Sequence, residues 1–156
     1  LCQLIVQVAG RAGRALKPGQ VWLQTHHPDH PLLRDLLKSG YAQVAQELLT
    51  ERRDAGLPPY AHLALLRAEA KTQTAVDEFL AVAVRTACAP GDVSLLGPMP
   101  APMPRRAGSH RGQLLLSATE RRALHSFLPE WLMRVRELRE TKRVRWAIDV
   151  DPVDLY

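Results

Sequence analysis

Cysteine is scarce in this chain of 156 residues: Cys2 and Cys88 are the only two, and they lie far apart. They offer neither the paired spacing of a zinc site nor a disulfide framework, which favours a reduced, cytoplasmic setting. No stretch approaches the roughly 18–20 consecutive apolar residues that a membrane-spanning helix needs, so no membrane partner is expected. The opening LCQLIVQVAGR lacks the basic start of a secretory signal, and the absence of an initiator Met leads us to expect a fragment of a longer protein. Aromatic residues make up 5%. Trp22, Trp131 and Trp146 all sit on apolar patterns, so they are expected in the core and not as platforms for stacked bases. What is present, 46% hydrophobic and 24% charged residues, is the composition of a folded domain. The length suits one compact domain with an appendage.

The formal net charge of +5 is unevenly distributed. Residues 1–100 carry ten Lys or Arg and nine Asp or Glu, residues 101–145 carry eleven and four, and the last eleven residues add three acids. A basic excess concentrated in one segment suits a polyanion or an acidic partner. Arg outnumbers Lys seventeen to four, which fits phosphate binding or, equally, a bias in coding composition.

Pro and Gly divide the chain. An apolar run at 4–9 precedes the GRAGR loop at 10–14, and a short strand is expected at 20–25 after Pro18-Gly19. From His30 or Asp29 a helix runs to about Ala55 with an interruption at Gly40, and Leu32, Leu33, Leu36, Leu37, Tyr41, Val44, Leu48 and Leu49 recur at helical spacing. Gly56 and Pro58-Pro59 end it. Beyond Tyr60 the sequence predicts a strand at 62–70, a helix at 74–87 and a short strand at 92–96. A Pro-rich loop, GPMPAPMPRRAG, and a strand at 113–117 follow. A long amphipathic helix then covers 117–138, with Leu124, Phe127, Leu128, Trp131, Leu132, Val135 and Leu138 on one stripe and Pro129 expected to kink or split it. In 144–150, Val144, Trp146, Ile148 and Val150 alternate with Arg145, Ala147 and Asp149, the period of a half-buried strand. The order strand, helix, strand, strand, helix, strand predicts an α+β chain ending in a ferredoxin-like (βαββαβ) domain with an antiparallel sheet.

Four groups of residues invite chemistry. In QVAGRAGR, Arg11 and Arg14 each follow a glycine, so rigid guanidinium forks sit on backbone that can approach a phosphate closely, and Gln7 can bind a phosphate oxygen or orient a water. The plain alternative is a Gly-rich helix start with solvated arginines. Arg105, Arg106, His110 and Arg111 form a basic loop between two expected strands, with Gly108 and Gly112 letting the backbone lie close to a ligand: a sequence-independent DNA phosphate contact or a solvated hairpin. At the start of the long helix, with Thr119 as N-cap and Glu120 at the positive end of the dipole, Arg121 and His125 share a face suited to an acidic peptide or simply to solvent. His26, His27, Asp29 and His30 lie close together, but Pro28 and Pro31 prevent the helical presentation of a zinc motif, so a helix-capping turn is expected and no metal.

QVAGRAGR resembles motif six of the superfamily-two helicases and, in this wording, that of the primosomal replication-restart helicases. LQTHHPDHPLL at 23–33, ERRDAGLPPY at 51–60, LGPMPAPMPRRAG at 96–108 and WAIDVDP at 146–152 are similar to that family in the same order. The resemblance implies that residues 1–27 end the second RecA-like helicase lobe (motif six and a following strand), that 28–59 form a helical linker and that 60–156 form a C-terminal domain binding DNA and partners. It implies Arg11 and Arg14 as arginine fingers toward ATP phosphates, with Gln7 beside them. The full-length family would use ATP and Mg, with zinc bound upstream, and would unwind DNA 3′ to 5′. Implied partners are branched and single-stranded DNA, the tail of single-stranded DNA-binding protein at Arg121 and His125, and other primosome proteins. The chain holds no GxxxxGK[ST] phosphate loop and no DExH-type magnesium acids, so alone it is expected to bind no cofactor and hydrolyse no ATP. The rival is a stand-alone ferredoxin-like nucleic-acid or protein-binding module without ATPase ancestry, for which GRAGR would be incidental.

Overall fold

The structure, a computed structural model, describes residues 2–12 and 19–155. The chain divides into two compact units, Leu1–Ala55 and Gly56–Tyr156.

The first unit holds α1 (Cys2–Ala9) and α2 (Pro31–Asp54). The apolar run at 4–9 is thus helical, and Cys2, Leu36 and Val44 form a small core joined by Ile5, Leu32 and Leu48. His30 starts α2: its Nδ1 accepts from the Leu32 N–H at 3.3 Å, and Pro31 follows at the first helical position, where a missing donor costs nothing. Gly40 breaks the helix with φ 79° and ψ 174°, a backbone that glycine adopts without strain. Leu37, ahead of the break, and Tyr41, just after it, both expected on the buried face, are exposed. Two further expectations fail nearby. Residues 20–25 form no strand, because no described neighbour supplies a ladder, and Trp22, expected in the core, is 90% exposed.

The second unit is a four-stranded antiparallel sheet of β1 (His62–Ala70), β2 (Val93–Arg106), β3 (Ser109–Ala118) and β4 (Arg145–Val150), in the order β2-β3-β1-β4. Helices α3 (Gln73–Arg85) and α4 (Arg121–Glu137) cover one face, and a 3-10 turn at Arg139–Arg143 leads into β4. The Thr72 hydroxyl caps α3 by accepting from the Ala75 N–H at 3.3 Å. Ala64, Leu66, Leu114 and Leu116 from the sheet meet Val76, Phe79 and Leu80 from α3, and Leu124, Trp131 and Val135 from α4. Trp131 is fully buried, its indole N–H donating to the Ala83 carbonyl at 3.0 Å, and its ring stacks on Phe127 at 5.6 Å.

Two elements differ from expectation for physical reasons. Pro129 neither splits nor ends α4. An interior proline costs about 3 kcal/mol, but buried Leu124, Phe127, Leu128, Trp131 and Val135 flank it on both sides. Each contributes about 1.5–3 kcal/mol on burial, so packing wins. The Pro-rich segment is not a loop but the continuation of β2, with register shifts between Leu96 and Met99 and between Pro100 and Arg105. It can be a strand because β2 lies at the sheet edge, where proline's missing donor and the bulges are tolerated.

Candidate nucleic-acid interface

The extension of β2 turns the expected basic loop into a tight hairpin. Arg106 pairs with Ser109 across a two-residue turn in which Ala107 (φ 49°) and Gly108 (φ 73°) both have positive φ, the signature of a type I′ connection. Cross-strand partners share a sheet face, and this separates the four basic residues into two pairs. Arg105 pairs with His110, whose ring Nδ1 lies 3.3 Å from Gln73 Oε1 at the start of α3, so these two sit on the helix-covered side. Arg106 and Arg111 belong to the opposite face. The four therefore do not form one site. Gly112 is also not a ligand position: a Cβ there would lie 2.7 Å from Val76 Cγ1 and 2.9 Å from Leu80 Cδ1, so its role is to let α3 approach β3.

The face opposite the helices brings to Arg106 and Arg111 two arginines that sequence reading missed, Arg67 and Arg145. Glu69 on β1 is the register partner of both Arg111 on β3 and Arg145 on β4, and Arg67 lies two residues before it. Arg67, Glu69, Ala101, Arg111, Arg145 and Ala147 line a cleft of about 170 Å³. Arg67, Pro102, Met103, Arg106 and Arg111 line the adjoining hollow. Arg67 is held from the C-terminal side: its Nη2 is 3.6 Å from Asp149 Oδ2 and donates to the Asp154 carbonyl at 2.9 Å. The period-two pattern of β4 already put Arg145 and Ala147 on one face. Arg67 gave no such signal, because its strand is apolar on both sides of it.

At the start of α4 the N-cap is Glu120 and not Thr119, and no side chain caps the helix. Arg121 donates to Asp151 Oδ2 at 2.9 Å, and its Nε lies 3.4 Å from His125 Nε2, so the expected pair is brought together on an exposed surface with Asp151 as a third member. Asp151 offsets the unfavourable position of a cation at a helix N-terminus. In the first unit, Gln7 is exposed on α1, and Arg11 is exposed in the turn that follows, its N–H donating to the Val8 carbonyl at 3.1 Å. Arg14 lies outside the described residues. His26, His27 and Asp29 are exposed beside the His30 cap. Among the described residues no group of three or more His, Cys, Asp or Glu is arranged to hold a metal ion, and no helix is long and apolar enough to cross a membrane.

Comparison with known proteins bears on the whole chain. It is 45% identical to the replication restart protein PriA of Haemophilus influenzae over 99% of its length. It is 34% identical to the protein of that name from Synechocystis and 31% to that from Bacillus subtilis, over 98% and 96% of its length. These alignments cover 21%, 18% and 19% of the relatives, so the chain spans about a fifth of their length. A de novo designed protein superimposes on 60% of the chain and 99% of its own at a TM-score of 0.44 and 7% identity, too loose a likeness to define the fold. The sequence profile of the Primosomal protein N C-terminal domain matches residues 53–153, which contain every strand of the sheet and both of its helices, and the chain belongs to that family.

Proposed function

We propose that this chain is the C-terminal part of a PriA-type replication-restart helicase, and that its second unit binds branched and single-stranded DNA at abandoned forks in the cytoplasm. The observation that carries the reading is the basic hairpin: Arg105 on its helix-covered face and Arg106 and Arg111 on the opposite one have side chains that make no ion pair or hydrogen bond among the described residues, in a domain whose family match runs over 53–153. Arginines without counter-ions suit phosphate contacts that read DNA shape and not base order. The strand order β2-β3-β1-β4 with both helices on one face supports a ferredoxin-like assignment for residues 60–156, with 28–59 as linker.

Residues 1–27 are, in this reading, the end of a RecA-like lobe. Exposed Leu4, Val6 and Val8 on α1, and Val21, Trp22 and Leu23 after it, support this, since apolar side chains left in solvent suit an element that packs against more protein. Gln7 and Arg11, exposed and four residues apart, fit a nucleotide phosphate offered by another part of the longer protein, with Arg14, outside the described residues, as the second arginine finger. ATP with Mg would supply the phosphoanhydride that drives 3′-to-5′ unwinding, and zinc would be held upstream. Arg121 and His125 are the proposed contact for the acidic tail of single-stranded DNA-binding protein, whose carboxylate would take over the guanidinium that Asp151 now holds. Other primosome proteins complete the partner set.

The test is a titration of forked DNA at several salt concentrations. Arg105→Ala with Arg106→Ala and Arg111→Ala is expected to weaken binding and flatten its salt dependence by about 0.9 for each phosphate that is no longer neutralised. An unchanged slope removes the hairpin from the DNA surface. In the same preparation, a tail peptide whose affinity survives Arg121→Ala removes Arg121 from the peptide surface.

A further inference from the structure

We propose that the cleft opposite the helices is a phosphate site for single-stranded DNA, held by Arg67, Arg111 and Arg145 and continued by Arg106. The proposal rests on the DNA-binding reading above and extends its surface from Arg106 and Arg111 of the hairpin to Arg67 and Arg145. Three arginines line one cleft with a single acidic residue, Glu69. Arg111 and Arg145 flank that carboxylate from the two neighbouring strands. Neither of their side chains, nor that of Arg106, makes an ion pair or hydrogen bond among the described residues. Arg67 is different: Asp149 and the Asp154 carbonyl orient it, which reduces the side-chain freedom it would lose on binding.

Shape favours a strand over a duplex. From β4 across β1 and β3 to β2 the arginines span three interstrand steps, about 14 Å at about 4.8 Å each, a track for an extended chain. A cleft of about 170 Å³ has room for a phosphate group and not for the width of a duplex. Chemistry favours nucleic acid over an acidic peptide. Guanidinium forks match the oxygens of phosphate and carboxylate alike two at a time, so the apolar surface beside them decides. Beside the track, Pro102 and Met103, the latter 56% exposed, present apolar surface on which unstacked bases can rest and for which an acidic peptide has no use.

The experiment compares Arg67→Gln/Arg145→Gln with Arg136→Gln/Arg139→Gln, which removes the same charge from exposed positions outside the cleft. Each is titrated by fluorescence anisotropy with a short oligo-dT, with forked DNA and with an aspartate-rich peptide, over a range of salt. We expect the cleft variant to bind oligo-dT about tenfold more weakly, with a salt slope shallower by about 1.4 for two single-strand phosphates, and the control to stay close to wild type. Equal losses in both variants, or none in the cleft variant, overturn the site. So does a peptide affinity that depends on Arg67 and Arg145 while oligo-dT binding does not. If the wild-type chain binds neither DNA, the DNA-binding reading itself fails; if it binds both and the cleft variant binds as tightly, only this site falls. Should the double variant melt early by circular dichroism, Arg145→Gln alone, at an exposed position, is expected to carry half of the slope change.

Discussion

The two units of the chain treat their apolar side chains in opposite ways. In Gly56–Tyr156 the helices seal one sheet face, and Trp131, Phe79, Leu66, Leu114, Leu116 and Val135 are essentially shielded from water. In Leu1–Ala55 the buried cluster is three residues, while Leu4, Val8, Trp22 and Leu37 face solvent. Burying a large apolar side chain contributes about 1.5–3 kcal/mol, so the first arrangement sustains a domain and the second gives little beyond holding α1 on α2. The difference separates a unit with a sealed core from one that leaves much of its apolar surface in water.

The strongest way to break the comparison is at its stable end. Trp131→Ala removes a fully buried ring, its stack on Phe127 and its bond to the Ala83 carbonyl. The expected cost is about 3–5 kcal/mol. Urea unfolding followed by fluorescence of the other tryptophans should give a much lower midpoint. A change below about 1 kcal/mol would mean that α4 is not the lid of this core.

Gly112→Ala sharpens the same point with a single methyl. The added Cβ meets Val76 and Leu80 on α3, both buried, so the helix must shift or the side chains leave their rotamers, at an expected cost of about 1–3 kcal/mol. Gly108→Ala offers a contrast: its Cβ meets nothing within 4 Å, and any cost there comes from its positive φ alone. A Gly112→Ala melt indistinguishable from wild type would show that α3 and β3 have room between them.

How far these features could be read from sequence depends on whether their cause is local. The alternation of Val144, Trp146 and Ile148, the stripe on α4 and the cap at His30 are set by residues a few positions apart, and each was legible. The prolines of β2 read as a loop because their tolerance depends on an edge position, which the strand order decides and local sequence does not. The basic cluster was visible, but its division was not. Whether Arg105 or Arg106 faces the helices depends on a two-residue turn and on register shifts upstream, and moving a strand by one residue exchanges its faces. Arg67 and Arg145 stand 78 positions apart in sequence and meet only through the β1–β4 pairing.

The smallest expected effect is also the most discriminating between the two units. Trp22 is 90% exposed, so Trp22→Ala should change the stability of this chain by no more than about 0.5 kcal/mol, the range of ordinary surface positions. If the apolar surface around it is covered by the preceding part of a helicase lobe, the same substitution in the longer protein removes a buried ring. The cost there rises to about 3 kcal/mol or more. Chemical unfolding of both lengths, with and without the substitution, separates the cases. Equal and negligible effects in the two would mean that Trp22 faces solvent in both, and the exposed apolar residues of the first unit would then need a different partner.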